Sequence, residues 1–153
     1  MQITAYGDRY EVYAEADPLV KGSTAEVLAH FTRLEDFKPL TEGAAKVILT
    51  VGGSAAEDTL GVPTRPGIYK MHLTPNAEGE GTMMFVADGD TLTAAVRVYA
   101  DPGQAQEAAE AAKAKSALGV VFPKEISWKS DFATEPCQRL CGVPSARPTT
   151  PLK

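Results

Sequence analysis

The chain predicts an all-β fold: an immunoglobulin-like antiparallel β-sandwich carrying one short Ala-rich surface helix. Three observations predict it. Apolar and polar residues alternate with period two in six segments between residues 9 and 99. Turn-forming residues punctuate those segments, and a single Ala-rich stretch breaks the alternation. Side chains on a strand point to opposite faces in turn, so each segment buries one face and wets the other. Antiparallel sheets give this clean alternation, whereas parallel sheets buried on both sides do not. An open barrel is the competing closure.

Residues 1–8 lack the pattern and read as a flexible N-terminus, ahead of a sandwich domain over 9–134. Residues 9–15 place Tyr10, Val12 and Ala14 on one side and Tyr13 on the other. Residues 23–34 set Ala25, Val27, Ala29 and Phe31 inward; Glu26, His30 and Thr32 point away, so His30 reads as solvated. Residues 45–51 alternate Val47, Leu49 and Val51 against Lys46, Ile48 and Thr50. Residues 67–75 set Tyr69, Met71 and Leu73 opposite Lys70, His72 and Thr74. Residues 82–88 and 91–99 follow, the latter with Leu92, Ala94, Val96 and Val98 on one face. A seventh strand is read over 125–132, with Trp128 in the core beside Phe132. Asp17-Pro18, Gly52-Gly53, Arg65-Pro66-Gly67 and Asp88-Gly89-Asp90 supply fixed or positive φ between runs, and the last is short enough to close a hairpin.

Residues 104–118 have strong helix propensity. Asp101 can cap the helix, Pro102 can occupy its first turn, and Gly119 can follow its last. Leu118 is its one large apolar side chain, so the helix reads as a surface crossover. Residues 135–153 are Pro-rich and aperiodic, and read as a disordered tail. Leu, Ile, Val and Phe make up about a fifth of the chain, which suits one modest core. A net charge of −5 with scattered basic residues argues against a nucleic-acid surface. The apolar runs are too short for a transmembrane helix, and residues 1–7 lack the basic start and apolar stretch of a signal peptide.

No catalytic motif stands out, and the expectation is a non-enzyme. There is no Gly-rich phosphate loop, nucleophile elbow or His-Glu-x-x-His helix, and the chain has two histidines. The candidate metal ligands are Met71, His72, Met83 and Met84, whose thioether and imidazole donors suit Cu(I) or Ag(I). Against that, alternation puts Met71 on the apolar face and one of Met83 and Met84 inward, where methionine fills core gaps. Cys137 and Cys141 have no nearby histidine to complete a zinc site. No resident cofactor is expected.

Around residues 31–42, Phe31, Leu34, Phe37 and Leu40 are surrounded by Arg33, Glu35, Asp36, Lys38 and Glu42. Two readings are open. The loop folds its own apolar residues over the end of the sandwich, or an aromatic with a charged rim forms a docking patch. Phe37, Lys38, Arg33 and Asp36 are the candidate docking residues.

Three stretches together resemble a known family. They are Ala29-His30-Phe31-Thr32-Arg33-Leu34-Glu35-Asp36-Phe37-Lys38-Pro39-Leu40-Thr41-Glu42-Gly43, Thr64-Arg65-Pro66-Gly67-Ile68-Tyr69, and Phe122-Pro123-Lys124-Glu125-Ile126-Ser127-Trp128-Lys129-Ser130-Asp131-Phe132-Ala133-Thr134. In order and spacing they look like the N-terminal domain of periplasmic adaptor subunits, or membrane fusion proteins, of RND efflux pumps in the heavy-metal or cation branch. The likeness covers about residues 9–136. It implies a non-catalytic interaction domain in the periplasm that contributes to export of metal ions or drugs. The implied partners are the other adaptor domains, the inner-membrane RND transporter and the outer-membrane channel. The alternative is a soft-metal binding or carrier domain using the Met and His ligands.

Overall fold

The computed structural model describes residues 1–116 and 124–129, and in it the alternating segments are strands. They are β1 (Gln2–Tyr6), β2 (Tyr10–Ala16), β3 (Ala25–Arg33), β4 (Ala45–Val51), β5 (Ser54–Leu60), β6 (Ile68–Leu73), β7 (Gly79–Ala87) and β8 (Asp90–Val98). Two helices follow, α1 (Pro102–Ser116) and α2 (Lys124–Ser127). The first sheet has the order β1-β2-β3-β6 and the second β5-β4-β7-β8. Every strand pair is antiparallel, and the two sheets pack as a sandwich.

The core is what period two dictates. Val12, Ala14, Val27, Ala29, Phe31, Tyr69 and Met71 of the first sheet meet Val47, Leu49, Met83, Phe85 and Leu92 of the second, all essentially without exposure. Phe31 joins the layers. Its ring stands edge-on to Tyr69 in its own sheet at 5.4 Å and to Phe85 in the opposite sheet at 6.4 Å. Such edge-to-face pairs add about 0.5–1.5 kcal/mol beyond the area they bury. The Tyr69 hydroxyl donates to the Gly43 carbonyl at 2.9 Å, so the buried phenol is satisfied.

Polar clamps close both sides of the sandwich. The Asp90 carboxylate, at the start of β8, accepts backbone N–H bonds from Asp8, Arg9, Tyr10 and Thr91 at 2.8–3.2 Å. Burial pushes that carboxyl up, but the four donors together outweigh it and hold Asp90 below the ordinary carboxylate range. Gly7 is required beside it, because a Cβ there would meet the carboxylate oxygens at 2.5–2.6 Å. On the other side, Asp58 of β5 accepts the His72 N–H at 2.8 Å, and the Thr64 hydroxyl accepts the Lys70 N–H at 3.3 Å. The outward N–H groups of the β6 edge are thereby occupied, which blunts that edge.

Several expectations are corrected. Residues 2–6 are strand β1 rather than part of a flexible N-terminus, with Ile3 and Ala5 buried against the core. β5 is not among the expected strands: its burial alternates as in the other strands, but Ala56 and Leu60 are the apolar residues on its inward positions, so the sequence pattern is faint. The stretch read as a seventh strand starts instead as helix α2 followed by a turn at Trp128 and Lys129. Trp128 is buried, though not between the sheets: it lies on the outer face of the first sheet. His30 points outward as expected, yet it is 5 % exposed because α2 covers it. α1 is capped by Asp101, whose carboxylate accepts the Gln104 N–H at 3.3 Å, and Ala105 in its first turn is buried. Gly119, Phe132, Cys137, Cys141 and the 135–153 tail lie outside the described residues.

Candidate functional site

β3 runs past its pairing with β6 and ends at Arg33, where the chain turns sharply over residues 33–38. Phe37 N–H donates to the Arg33 carbonyl at 2.9 Å, Arg33 N–H donates to the Lys38 carbonyl at 2.8 Å, and Thr32 bridges Pro39. The Arg33 guanidinium grips Asp36 with two bonds, Nε to Oδ1 at 3.1 Å and Nη2 to Oδ2 at 2.8 Å. Asp36 Oδ1 also accepts the Lys38 N–H at 3.1 Å. The Arg33 bonds, with the Lys38 N–H, hold the Asp36 carboxyl below its usual value. Within this frame Phe37 adopts φ 56°, a left-handed backbone that bulky residues rarely take.

The turn divides the four apolar residues in two. Phe31 and Leu40 fold inward, Leu34 is half-buried, and Phe37 stands out at 37 % exposure. Two of the four therefore cover the sandwich end, and Phe37 keeps about a third of its surface in water.

Two further segments close on the same end. Gly67, in the turn before β6, accepts the Phe31 N–H at 2.8 Å and donates to the Leu40 carbonyl at 2.9 Å. It sits at φ 79° with Pro39 and the Trp128 ring so close that a Cβ would lie 2.5 and 2.7 Å from them. Only glycine fits there. From α2, Trp128 donates its indole N–H to the Thr32 hydroxyl at 2.8 Å, and its carbonyl accepts from Lys38 Nζ at 3.4 Å. Lys124 Nζ bonds both Glu11 oxygens at 2.7 Å, in a pair that is largely shielded from water. Each converging segment carries an exposed large apolar side chain: Phe37 on the turn, Val62 (70 %) on the β5–β6 connection, and Ile126 (49 %) on α2.

Beneath α2, His30 packs edge-on to Tyr13 at 5.7 Å and tilted against Trp128 at 6.1 Å. Neither ring nitrogen has a hydrogen-bond partner among the described residues; Glu125 Oε1 stands 3.7 Å from Nδ1. Burial lowers the His30 pKa and Lys124 adds to that, against the opposing carboxylates of Glu125 and Glu15. Burial, with the Glu15 carboxylate beside it, pushes the Tyr13 hydroxyl up to about 12.

The four candidate metal ligands are not brought together. Met71 and Met83 lie on the inner faces of opposite sheets with no exposure, and Met84 is on the outer face of the second sheet. His72 is on the outer face of the first, its Nε2 3.9 Å from Glu26. Among the described residues no cluster of three or more His, Cys, Asp or Glu could hold a metal. A separate groove of about 740 Å³ runs under α1 between Ala109, Leu28 and Tyr99. Its wall carboxylates are engaged: Glu15 with the Tyr13 hydroxyl, Asp17 with the Glu26 N–H, and Glu26 with Lys70.

The docking candidates Phe37, Lys38, Arg33 and Asp36 thus lie on one turn. Gly67 and Thr32, which fasten the neighbouring segments beside it, and Lys124, which ties α2 to Glu11 of β2, were not singled out from sequence as functional, although all three lie within the quoted stretches. Comparison with family models, with curated proteins and with solved structures finds no match to the chain.

Proposed function

We propose that the chain is a non-catalytic interaction domain that docks a protein partner through the Phe37 end of the sandwich. The observation that carries this reading is Phe37 itself, a bulky residue at φ 56° with more than a third of its surface in water. A backbone in that region costs a non-glycine residue about 1–3 kcal/mol. Burial of the rest of the residue offsets part of that, and a partner that covers the exposed third would offset more. An aromatic anchor with a charged rim, here the Arg33–Asp36 fork and Lys38, is the composition of an interface centre.

The finer reading is a periplasmic adaptor subunit of an RND efflux pump, contributing to export of metal ions or drugs. Its partners would be the other adaptor domains, the inner-membrane transporter and the outer-membrane channel. Support comes from the sequence resemblance and from where its three stretches lie. Far apart in the chain, they adjoin at this one end through the Gly67, Thr32–Trp128 and Lys38–Trp128 contacts. The immunoglobulin-like reading is supported by the two crossovers, β3 pairing with β6 and β4 with β7.

Binding of the chain to a detergent-solubilised RND transporter encoded beside it tests both levels, and a gene neighbourhood without such a transporter would overturn the finer reading. Phe37→Ala is expected to weaken binding about tenfold or more, a loss of about 1.4 kcal/mol. Thr93→Ala, on the outer face of the second sheet, is expected to bind like wild type. Equal binding by Phe37→Ala and wild type would overturn the docking assignment. Failure of the folded wild-type chain to bind would overturn the transporter as partner.

A further inference from the structure

Among the described residues, no strand ladder or long helix holds α2. A four-residue helix is not stable in water on its own, so α2 keeps its form only while docked. Its fastenings to the outer face include three contacts made by side chains: Trp128 to Thr32, Lys124 to Glu11, and Lys38 to the Trp128 carbonyl. Docking also changes the character of that face. Where α2 lies, the outward residues His30, Thr32 and Ile68 are buried; further along the same face Lys70 and His72 are exposed.

Among the described residues, His30 is the one under α2 that can change charge near neutral pH, and neither of its nitrogens has a hydrogen bond. The outward charged and titratable groups on the elements packed around it are Glu11, Tyr13 and Glu15 from β2, Lys70 and His72 from β6, and Lys124 and Glu125 from α2, with Lys129 in the turn that follows. Glu11 is already matched by Lys124, and Lys70 by Glu26. Glu125, at 3.7 Å, is half-exposed and lies beyond hydrogen-bond reach.

We propose that α2 with Trp128 is an acid-released latch: proton uptake by His30 frees it from the outer face of the first sheet, uncovering Tyr13, His30 and Thr32. The sign follows from linkage. Docking holds His30 below its ordinary value, chiefly through burial. Above about pH 6.5 the ring is neutral whether α2 is docked or free, and pH does not act on the latch. Between that value and the lower docked one, the free form takes up the proton first. Each pH unit there favours release by up to about tenfold for one proton. Below the docked value the effect levels off. The latch does not depend on what the Phe37 turn binds.

Trp128 is the chain's one tryptophan and His30 one of two histidines, so both ends of the switch can be observed in the intact chain. Lowering the pH from about 8 to about 4.5 is expected to move Trp128 emission to the red, with a midpoint below about 6.5 and the far-UV β signal unchanged. His30→Phe, which keeps a ring between Tyr13 and Trp128, is expected to abolish the shift. His72→Asn is expected to retain it, and Glu125→Gln to move the midpoint to lower pH. In NMR spectra of the wild type, the His30 ring and Trp128 indole resonances are expected to share one midpoint, a readout that needs no variant to fold. The proposal is overturned by constant emission in the wild type across the range, by an unchanged midpoint in His30→Phe, by separate His30 and indole midpoints, or by loss of the β signal together with the shift.

Discussion

The Trp128 indole N–H donates to the Thr32 hydroxyl across 2.8 Å, joining residues 96 positions apart in the chain. Both groups are buried on the outer face of the first sheet, so neither can turn to water. Thr32→Val keeps the shape and removes the acceptor. It is expected to destabilise the docked segment by about 1–3 kcal/mol, the cost of an unsatisfied buried donor. Thr32→Ser is expected to recover most of it. Urea unfolding followed by Trp128 emission measures both.

Gly67→Ala is expected to act on Trp128 from the opposite side. The added Cβ would meet Pro39 and the indole at 2.5 and 2.7 Å, on a backbone at φ 79° that disfavours alanine. The ring must move, so emission at neutral pH is expected to lie to the red of wild type. The strain alone is expected to lower stability by about 1–3 kcal/mol. Unchanged emission would mean that Gly67 does not seat Trp128.

Asp90 governs acid stability. Its folded carboxyl titrates below its unfolded value, so its contribution is complete above the unfolded value and is lost as pH falls through the lower folded one. Asp90→Ala is expected to cost about 3 kcal/mol or more at neutral pH, since several backbone N–H groups lose their acceptor at once. Asp90→Asn is expected to be less severe and to show a shallower loss of stability below about pH 4 than wild type. Denaturant midpoints across pH 3 to 7 compare them.

Placement of the methionines leads to a prediction for soft metals. Met71 and Met83 are sealed on inner faces, so their methyl resonances are expected to stay in place at one equivalent of Ag(I). Movement of both with the fold intact would restore the carrier reading.

Alternation made the sandwich legible, because the inner face of a sheet leaves a direct mark on sequence. Val12, Val27, Phe31, Val47, Tyr69, Phe85 and Leu92 all lie where period two puts them. β5 left little mark, since an edge strand that packs through Ala56 and Leu60 can be mostly small and polar. His30 was put on the right face but read as wet, and Trp128 was put in the core, for a different reason. Periodicity reports which face a residue takes, and it assumes the outer face is wet; a segment arriving from 90 positions away makes that face dry without altering the local pattern. The Phe37 turn was partly legible through its clustered charges. Its positive φ and the Gly67 and Trp128 contacts behind it arise from long-range packing, which no local pattern encodes.

The claim that the Phe37 end is the working surface is tested most directly by amide hydrogen exchange of the intact chain with and without the solubilised transporter. Slowed exchange is predicted at residues 33–38 and 65–67, with the amides of β7 and β8 unchanged. Slowed exchange confined to the second sheet, with residues 33–38 as fast as in the free chain, would contradict it.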